Sequence, residues 1–176
     1  LCGAAPLSVE LLNRFEKHTD MRVLEGYGLT EGTAVASINP VHGESRAGSI
    51  GIRLPYTQMD VFIREGGGVR QANVNEIGSI CIKGPTVFSG YLEESKNKDI
   101  WMKEGWFDTG DLGRKDTDGY FWLTGREKDL IIRGGHNIDP SAIEEALFKM
   151  DGIQNAAAVG SPDPHSGEVP VVFAQL

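Results

Sequence analysis

Between residues 49 and 126 the chain is broken at short, regular intervals by turn-forming residues. Gly66-Gly67-Gly68 separates Val61 and Ile63 from Ile77, Ile80 and Ile82, and Asp116-Thr117-Asp118-Gly119 precedes another apolar run at 120–123. Glycine and aspartate tolerate the backbone angles of tight turns, and the apolar runs between them are of strand length. This pattern suggests short strands folded into a β-barrel or sandwich.

The flanking segments read differently. Residues 7–19 suit a short amphipathic helix, with Leu7, Val9, Leu11, Leu12 and Phe15 apolar. A brief strand at 21–24 then leads into Gly26-Tyr27-Gly28-Leu29-Thr30-Glu31, the strand-to-glycine turn with which an α/β sheet presents backbone to a ligand. Beyond Arg126, Leu130-Ile131-Ile132 reads as a buried strand and Arg133-Gly134-Gly135-His136-Asn137 as a turn. Asp139 is a good N-cap and Pro140 suits the first helical position, while Ile143, Ala146, Leu147 and Met150 supply an apolar stripe. Two more strands are expected at 156–159 and 169–173, an α+β pattern that is cut off before it could close a core. The change of pattern places a boundary near 125–128, with a hinge as its natural reading. A start at Leu1 and a stop directly after a strand-like run suggest a piece of something longer.

With 17 Lys+Arg against 25 Asp+Glu the formal charge is −8, which argues against a broad nucleic-acid or anionic-membrane surface. A polyanionic ligand would need local groups to hold it against that field. The 40% hydrophobic and 24% charged residues fit a soluble globular protein, and no apolar run approaches the ~18–20 residues of a membrane span. Cys2 and Cys81 are far apart, which excludes a disulfide framework and a thiolate metal cluster; Cys81, between Ile80 and Ile82, reads as core. His18, His42, His136 and His165 never sit at helical ligand spacing, so no zinc site is expected. No signal peptide is evident, as expected of a cytoplasmic protein.

Several constellations could carry chemistry. The 26–31 segment offers a ring to stack on a base, free N–H groups, a hydroxyl for a phosphate oxygen and a carboxylate for Mg²⁺. It is equally a glycine turn with a capping Thr-Glu. Trp106-Phe107-Asp108-Thr109-Gly110-Asp111 reads as an apolar pair entering a tight acidic turn. Asp111 could accept from ribose hydroxyls and Arg126 could donate to the sugar or a phosphate, or the turn could be a hairpin end closed by a salt bridge. Asp108-Thr109-Gly110 is also the aspartic-protease triplet, although it occurs once and is followed by Asp111 where a small residue is usual. Gly134-Gly135 permits close backbone approach to a ligand or another domain, or forms a plain turn. Neither G-x-x-x-x-G-K-[ST] nor G-x-S-x-G occurs, which removes a P-loop NTPase and the usual serine hydrolase.

The order of these motifs is more specific than any one of them. Leu1-Cys2-Gly3-Ala4-Ala5-Pro6-Leu7-Ser8 is followed by Tyr27-Gly28-Leu29-Thr30-Glu31, then by Gly78-Ser79-Ile80-Cys81-Ile82-Lys83-Gly84-Pro85 with Gly90-Tyr91. Gly105-Trp106-Phe107-Asp108-Thr109-Gly110-Asp111, Gly125-Arg126-Glu127-Lys128-Asp129-Leu130-Ile131 and Gly167-Glu168-Val169-Pro170 complete the series. Over essentially its whole length the chain resembles the adenylate-forming superfamily of acyl-CoA synthetases, luciferases and peptide-synthetase adenylation domains. The segment running from Arg126 to Ile138 is similar to the acyl-CoA synthetase branch.

That resemblance implies an α/β and α+β fold: residues 1–127 as the end of a large N-terminal domain, with a sheet edge and a β-barrel from about 49, and 128–176 as the start of a small α+β lid. It implies that Gly3, Ala4 and Ala5 pass along adenine, with Gly26, Tyr27 and Gly28 forming the turn on which Tyr27 stacks against the base. Thr30 would touch the α-phosphate and Glu31 would ligate Mg²⁺, as the catalytic pair. Asp111 would hold both ribose hydroxyls, with Arg126 nearby and Leu123 against the nucleoside. Lys128 would be the hinge, and Gly134 and Gly135 would meet the pantetheine of coenzyme A. The implied partners are a small-molecule carboxylic acid, ATP and coenzyme A, and the implied product is an acyl thioester formed through acyl-AMP. A fatty or related acyl acid is the favoured substrate. An acyl-AMP ligase loading a carrier protein, or a non-catalytic nucleotide-binding module, are the alternatives. The family's phosphate loop and its catalytic lysine have no counterpart in the chain, and neither Lys128 nor Lys149 takes the lysine's role, so these residues alone are not expected to adenylate an acid.

Overall fold

The computed structural model describes every residue except Pro6 and divides into two compact units, Leu1–Leu123 and Thr124–Leu176. In the first, Ser8 caps helix α1 (Val9–Thr19) by accepting from the Leu11 N–H at 3.2 Å. The helix ends where Asp20 turns left-handed and its N–H reaches the Glu16 carbonyl. Of the expected apolar stripe only Leu12 is buried; Leu11 and Phe15 remain exposed. Residues 21–24 do not form the expected strand. The Val23 N–H is taken by the Glu16 carboxylate at 2.8 Å, and extended pairing reduces to one parallel bridge between Cys2 and Glu25.

Strands β1 (Gly26–Tyr27), β2 (Ser37–Ile38) and β3 (Ile52–Arg53) form a small antiparallel sheet. The larger sheet holds β4 (Gln58–Glu65), β5 (Gly68–Gln71), β6 (Gly78–Lys83), β7 (Trp101–Lys103) and β8 (Trp106–Lys115) in the order β5-β4-β6-β8-β7, and β9 (Phe121–Arg126) also pairs with β8. Central β6 is covered on both faces. Ile80 and Ile82 pack with Val61, Phe107 and Phe121, while Cys81 faces Phe62 and Met102. Burying one such aliphatic side chain contributes about 1.5–3 kcal/mol, so this strand anchors the unit. Burial also pushes the Cys81 thiol pKa up, which makes it the inert core residue its neighbours suggested.

The sheet is open rather than a closed barrel: β5 is one edge, β7 and β9 share the other beside β8, and no ladder joins the two edges among the described residues. Closure requires a tilt and stagger maintained around the whole circumference, and strands of four and three residues cannot carry it. The segment 106–111 also departs from expectation. It is strand, the first part of β8, and not a tight acidic turn.

In the second unit β10 (Ile131–Arg133) and β11 (His136–Ile138) make a hairpin across Gly134-Gly135, both with positive φ (55° and 82°). Helix α2 (Pro140–Phe148) starts as its sequence dictates, with Asp139 accepting from the Ser141 N–H at 2.9 Å and proline in the first turn. Strands β12 (Asn155–Asp163) and β13 (Gly167–Gln175) pair along their whole length and complete a four-stranded antiparallel sheet, β11-β10-β13-β12. The architecture is thus mixed α/β, with antiparallel sheets and two α-helices among the described residues. No helix among them is long and apolar enough to cross a membrane.

Candidate functional site

The turn after β1 is built by close backbone approach. A Cβ on Gly28 would stand 1.4 Å from the Ala34 carbonyl oxygen, and one on Gly3 would stand 2.8 Å from the Gly26 oxygen. Only glycine allows these strands of chain to touch. Cys2 threads alongside, its N–H bonding the Leu24 carbonyl and its own carbonyl accepting from Gly26, both at 2.9 Å. The return leg is held where Ala36 donates to the Tyr27 carbonyl at 2.8 Å. Thr33 and Ala34 take positive φ (55° and 78°), as does Ala4 (72°), conformations that cost a non-glycine residue about 1–2 kcal/mol. Such strain collects at ligand sites. Here it borders a cavity of about 730 Å³ lined by Gly3, Ala4, Gly26, Tyr27, Gly28 and Thr30, together with Leu1, Cys2 and the 33–35 bend. Six of the residues singled out in the sequence therefore share one wall; Ala5 is exposed and does not line it.

Asp111 arrives from the larger sheet through a bulge. Ser79 pairs with Leu112 and Cys81 with Asp108, so a two-residue step on β6 faces a four-residue step on β8. Gly110 takes a φ of 72° there, its N–H donating to Asp108 Oδ1, while Thr109 donates to the Ile80 carbonyl at 2.8 Å and accepts from the Asp111 N–H. This rotates Asp111 into a buried position, where its Oδ2 accepts the Tyr27 hydroxyl at 2.5 Å. Leu123 packs against the apolar cluster that contains Tyr27. Asp108 points elsewhere, paired to Arg64 at 3.1 Å and accepting from the Gly110 N–H, which is a structural role and not that of a protease dyad.

Thr30, exposed, and Glu31, half-buried, occupy one 3-10 turn (Thr30–Gly32). Glu31 Oε1 accepts from the Tyr91 hydroxyl at 2.7 Å. That bond, followed by burial, pushes the Tyr91 pKa up to about 12. Tyr91 is a site residue the sequence reading did not single out, although Gly90-Tyr91 was part of the motif series. A lone carboxylate with one oxygen already oriented, beside a threonine hydroxyl, is a hard-oxygen donor set that suits Mg²⁺ completed by phosphate oxygens and water. Glu25, which bridges to Cys2 just before β1, is buried, its Oε2 without a partner among the described residues. Burial pushes its pKa up, partly countered by the Leu7 N–H.

In the second unit Arg126, Lys128, Gly134 and Gly135 are all exposed, and Lys128 lies in a single 3-10 turn (Glu127–Asp129) between β9 and β10. The glycine hairpin is tied from behind, where Gly134 donates to the Ser166 carbonyl at 2.7 Å and Ile132 donates to Glu168 Oε2 at 2.6 Å.

Residues 1–92 match the AMP-binding enzyme family and 142–176 match the AMP-binding enzyme C-terminal domain. The chain is 44% identical over 99% of its length to a marinolic acid–CoA ligase of Pseudoalteromonas sp. (strain SANK 73390). It is 39% identical over 100% of its length to a long-chain-fatty-acid–CoA ligase of Bacillus subtilis. It spans 27% and 31% of these relatives. Among solved structures, ATP-bound MatB from Rhodopseudomonas palustris superposes with a TM-score of 0.91 at 36% identity, over 98% of this chain and 34% of that one. The o-succinylbenzoate–CoA synthetase MenE of Bacillus subtilis, in complex with ATP and magnesium, superposes with a TM-score of 0.81 at 30% identity, over 98% and 35%. With this fold and these matched segments, the chain belongs to the AMP-binding, adenylate-forming enzyme family.

Proposed function

We propose that the protein to which this chain contributes is an ATP-dependent acid–thiol ligase that joins a carboxylic acid, fatty or related, to coenzyme A. In the first step a carboxylate oxygen attacks the α-phosphorus of ATP in line and pyrophosphate leaves, giving acyl-AMP. In the second the thiol sulfur attacks the acyl carbon, AMP departs with the bridging oxygen, and the thiol proton goes to solvent. The protein's work in the first step is positioning and charge stabilisation at phosphorus.

In this reading Tyr27 stacks on the adenine with Gly3, Ala4, Gly26 and Gly28 along its edge. Asp111 and Arg126 hold the ribose, and Leu123 packs against the nucleoside. Thr30 donates to the α-phosphate and Glu31 holds Mg²⁺, which when bound neutralises charge on the phosphate oxygens. Lys128 serves as the hinge of the second unit, and Gly134 and Gly135 let the backbone approach the pantetheine arm. Residues 1–127 and 128–176 then belong to two functional domains, and this stretch alone does not turn over.

The observation that carries the proposal is the buried hydrogen bond from Tyr27 to Asp111, which joins two motifs 84 residues apart beside a cavity of nucleotide scale. Relatives named as ligases of long-chain fatty, marinolic, sulfoacetic and oxalic acids support the reaction class. The test is calorimetric titration of the full-length protein with AMP and Mg²⁺, beside Asp111→Ala. Binding that the substitution abolishes is expected, and unchanged binding would overturn the assignment. Product assays with coenzyme A then separate a CoA ligase from an enzyme that loads only a carrier protein.

A further inference from the structure

The Glu31 carboxylate does not stand alone on its turn. The loop 84–97 is stapled to that turn at three points: the Phe88 N–H donates to the Glu31 carbonyl at 2.8 Å, Thr33 Oγ1 to the Thr86 carbonyl at 2.6 Å, and the Tyr91 hydroxyl to Glu31 Oε1 at 2.7 Å. Tyr91 is in turn fixed from both ends. Its backbone N–H and carbonyl are gripped by the Asn97 side-chain amide at 2.7 and 2.9 Å. Its ring meets Phe88 edge-on at 4.9 Å, and Phe88 meets Phe107 in the same way at 5.1 Å. Phe107 belongs to the buried core of the larger sheet. The hydroxyl is thus delivered to Glu31 from a loop anchored to that core through edge-to-face ring contacts.

We propose that Tyr91 is the positioning residue for the metal-binding carboxylate: it pins Glu31 Oε1 and so presents Oε2 to a divalent cation as a pre-oriented single-oxygen ligand. The choice of tyrosine has a chemical reason. A neutral O–H donor fixes the rotamer yet leaves the full negative charge on the carboxylate, whereas lysine or arginine at the same place would compete with the cation for that charge. Without the donor, the Glu31 side chain, with its three rotatable bonds, would have to be ordered at the moment of metal binding. This inference rests on the reading of Glu31 as the metal ligand.

The test uses the full-length protein with Mn²⁺ as probe, its free concentration followed by electron paramagnetic resonance in the presence of ATP and without acid. Tyr91→Phe keeps the ring and removes the hydroxyl. It is expected to weaken Mn²⁺ binding about tenfold, as loss of a hydrogen-bond partner behind a metal ligand commonly does, while AMP affinity measured without metal stays at the wild-type value. Glu31→Gln is expected to weaken Mn²⁺ binding further. Wild-type Mn²⁺ affinity in Tyr91→Phe, with affinity lost in Glu31→Gln, would overturn the positioning role alone. Wild-type affinity in Glu31→Gln would overturn the ligand reading itself. A parallel fall in metal-free AMP affinity in Tyr91→Phe would show a general disturbance of the cavity, and would equally sink the proposal.

Discussion

Tyr27 donates its hydroxyl to Asp111 at 2.5 Å, both residues buried, and the bond links the small β1-β2-β3 sheet to the bulge of β8. A charged acceptor makes this a strong bond, worth about 1.5–3 kcal/mol when it is lost. Tyr27→Phe retains the stacking face but takes one donor from a buried carboxylate. It should lower the unfolding free energy by about 2 kcal/mol and weaken AMP binding, because Asp111 is then less firmly aimed. Urea denaturation and AMP titration of Tyr27→Phe check both; wild-type values in each would mean the bond does not organise the site.

Gly28 offers a sharper steric test. Any Cβ there collides with the Ala34 carbonyl carbon and oxygen at 2.4 and 1.4 Å, backbone atoms that cannot rotate away. Gly28→Ala should therefore open the 28–34 turn and abolish nucleotide affinity. Gly66→Ala is the control: its Cβ meets nothing within 4 Å, so only the left-handed backbone cost of about 1–2 kcal/mol remains. Calorimetry with AMP should separate the two variants completely.

What the sequence disclosed follows from the range of the forces involved. The start of α2 at Asp139-Pro140, the Asp116–Gly119 turn and the Gly134-Gly135 hairpin are set within four or five residues, and each stands where local chemistry puts it. The cavity residues Gly3, Gly26, Tyr27, Gly28 and Thr30 were legible because their motifs occur in a fixed order. Events between strands were not legible. Residues 106–111 carry turn residues yet lie in β8, since Thr109 and Gly110 absorb a bulge dictated by β6. Residues 21–24 look strand-like, but Glu16 claims the Val23 N–H. Barrel closure depends on register around the whole sheet, which no local pattern encodes. Tyr91 was overlooked because its partner lies 60 residues away.

Glu25 predicts an inverted pH dependence. Burial raises its pKa, with Oε2 left unpartnered, so folding favours the protonated form. The sign follows from linkage: a carboxyl whose folded pKa lies above its unfolded one binds more protons when folded, so its contribution is full below the unfolded pKa of about 4.3 and is lost as pH rises through the folded value. Glu25→Gln keeps an oxygen for the Leu7 N–H and cannot ionise. It should raise Tm at pH 7.5 relative to the wild type and bring no gain at pH 4. An equal shift of Tm at both values would show that folding does not raise the carboxyl's pKa.

Glu168 allows the two half-reactions to be separated. Its Oε2 takes the Ile132 N–H at 2.6 Å, and Ser166 on the same bend takes the Gly134 N–H at 2.7 Å, so the glycine hairpin proposed to meet pantetheine is braced from one side by the 163–168 turn. Ile132 is half exposed, and water can replace the lost acceptor, which keeps the cost of Glu168→Ala near the lower end for a hydrogen bond, about 1 kcal/mol or fivefold. That cost should fall on coenzyme A alone. In the full-length protein the variant should show a coenzyme A KM raised about fivefold with ATP–pyrophosphate exchange unchanged, because none of the residues assigned to adenylation in this reading lies on this hairpin. Exchange that fell in step with thioester formation would mean the brace supports the whole second unit and not the approach of the thiol.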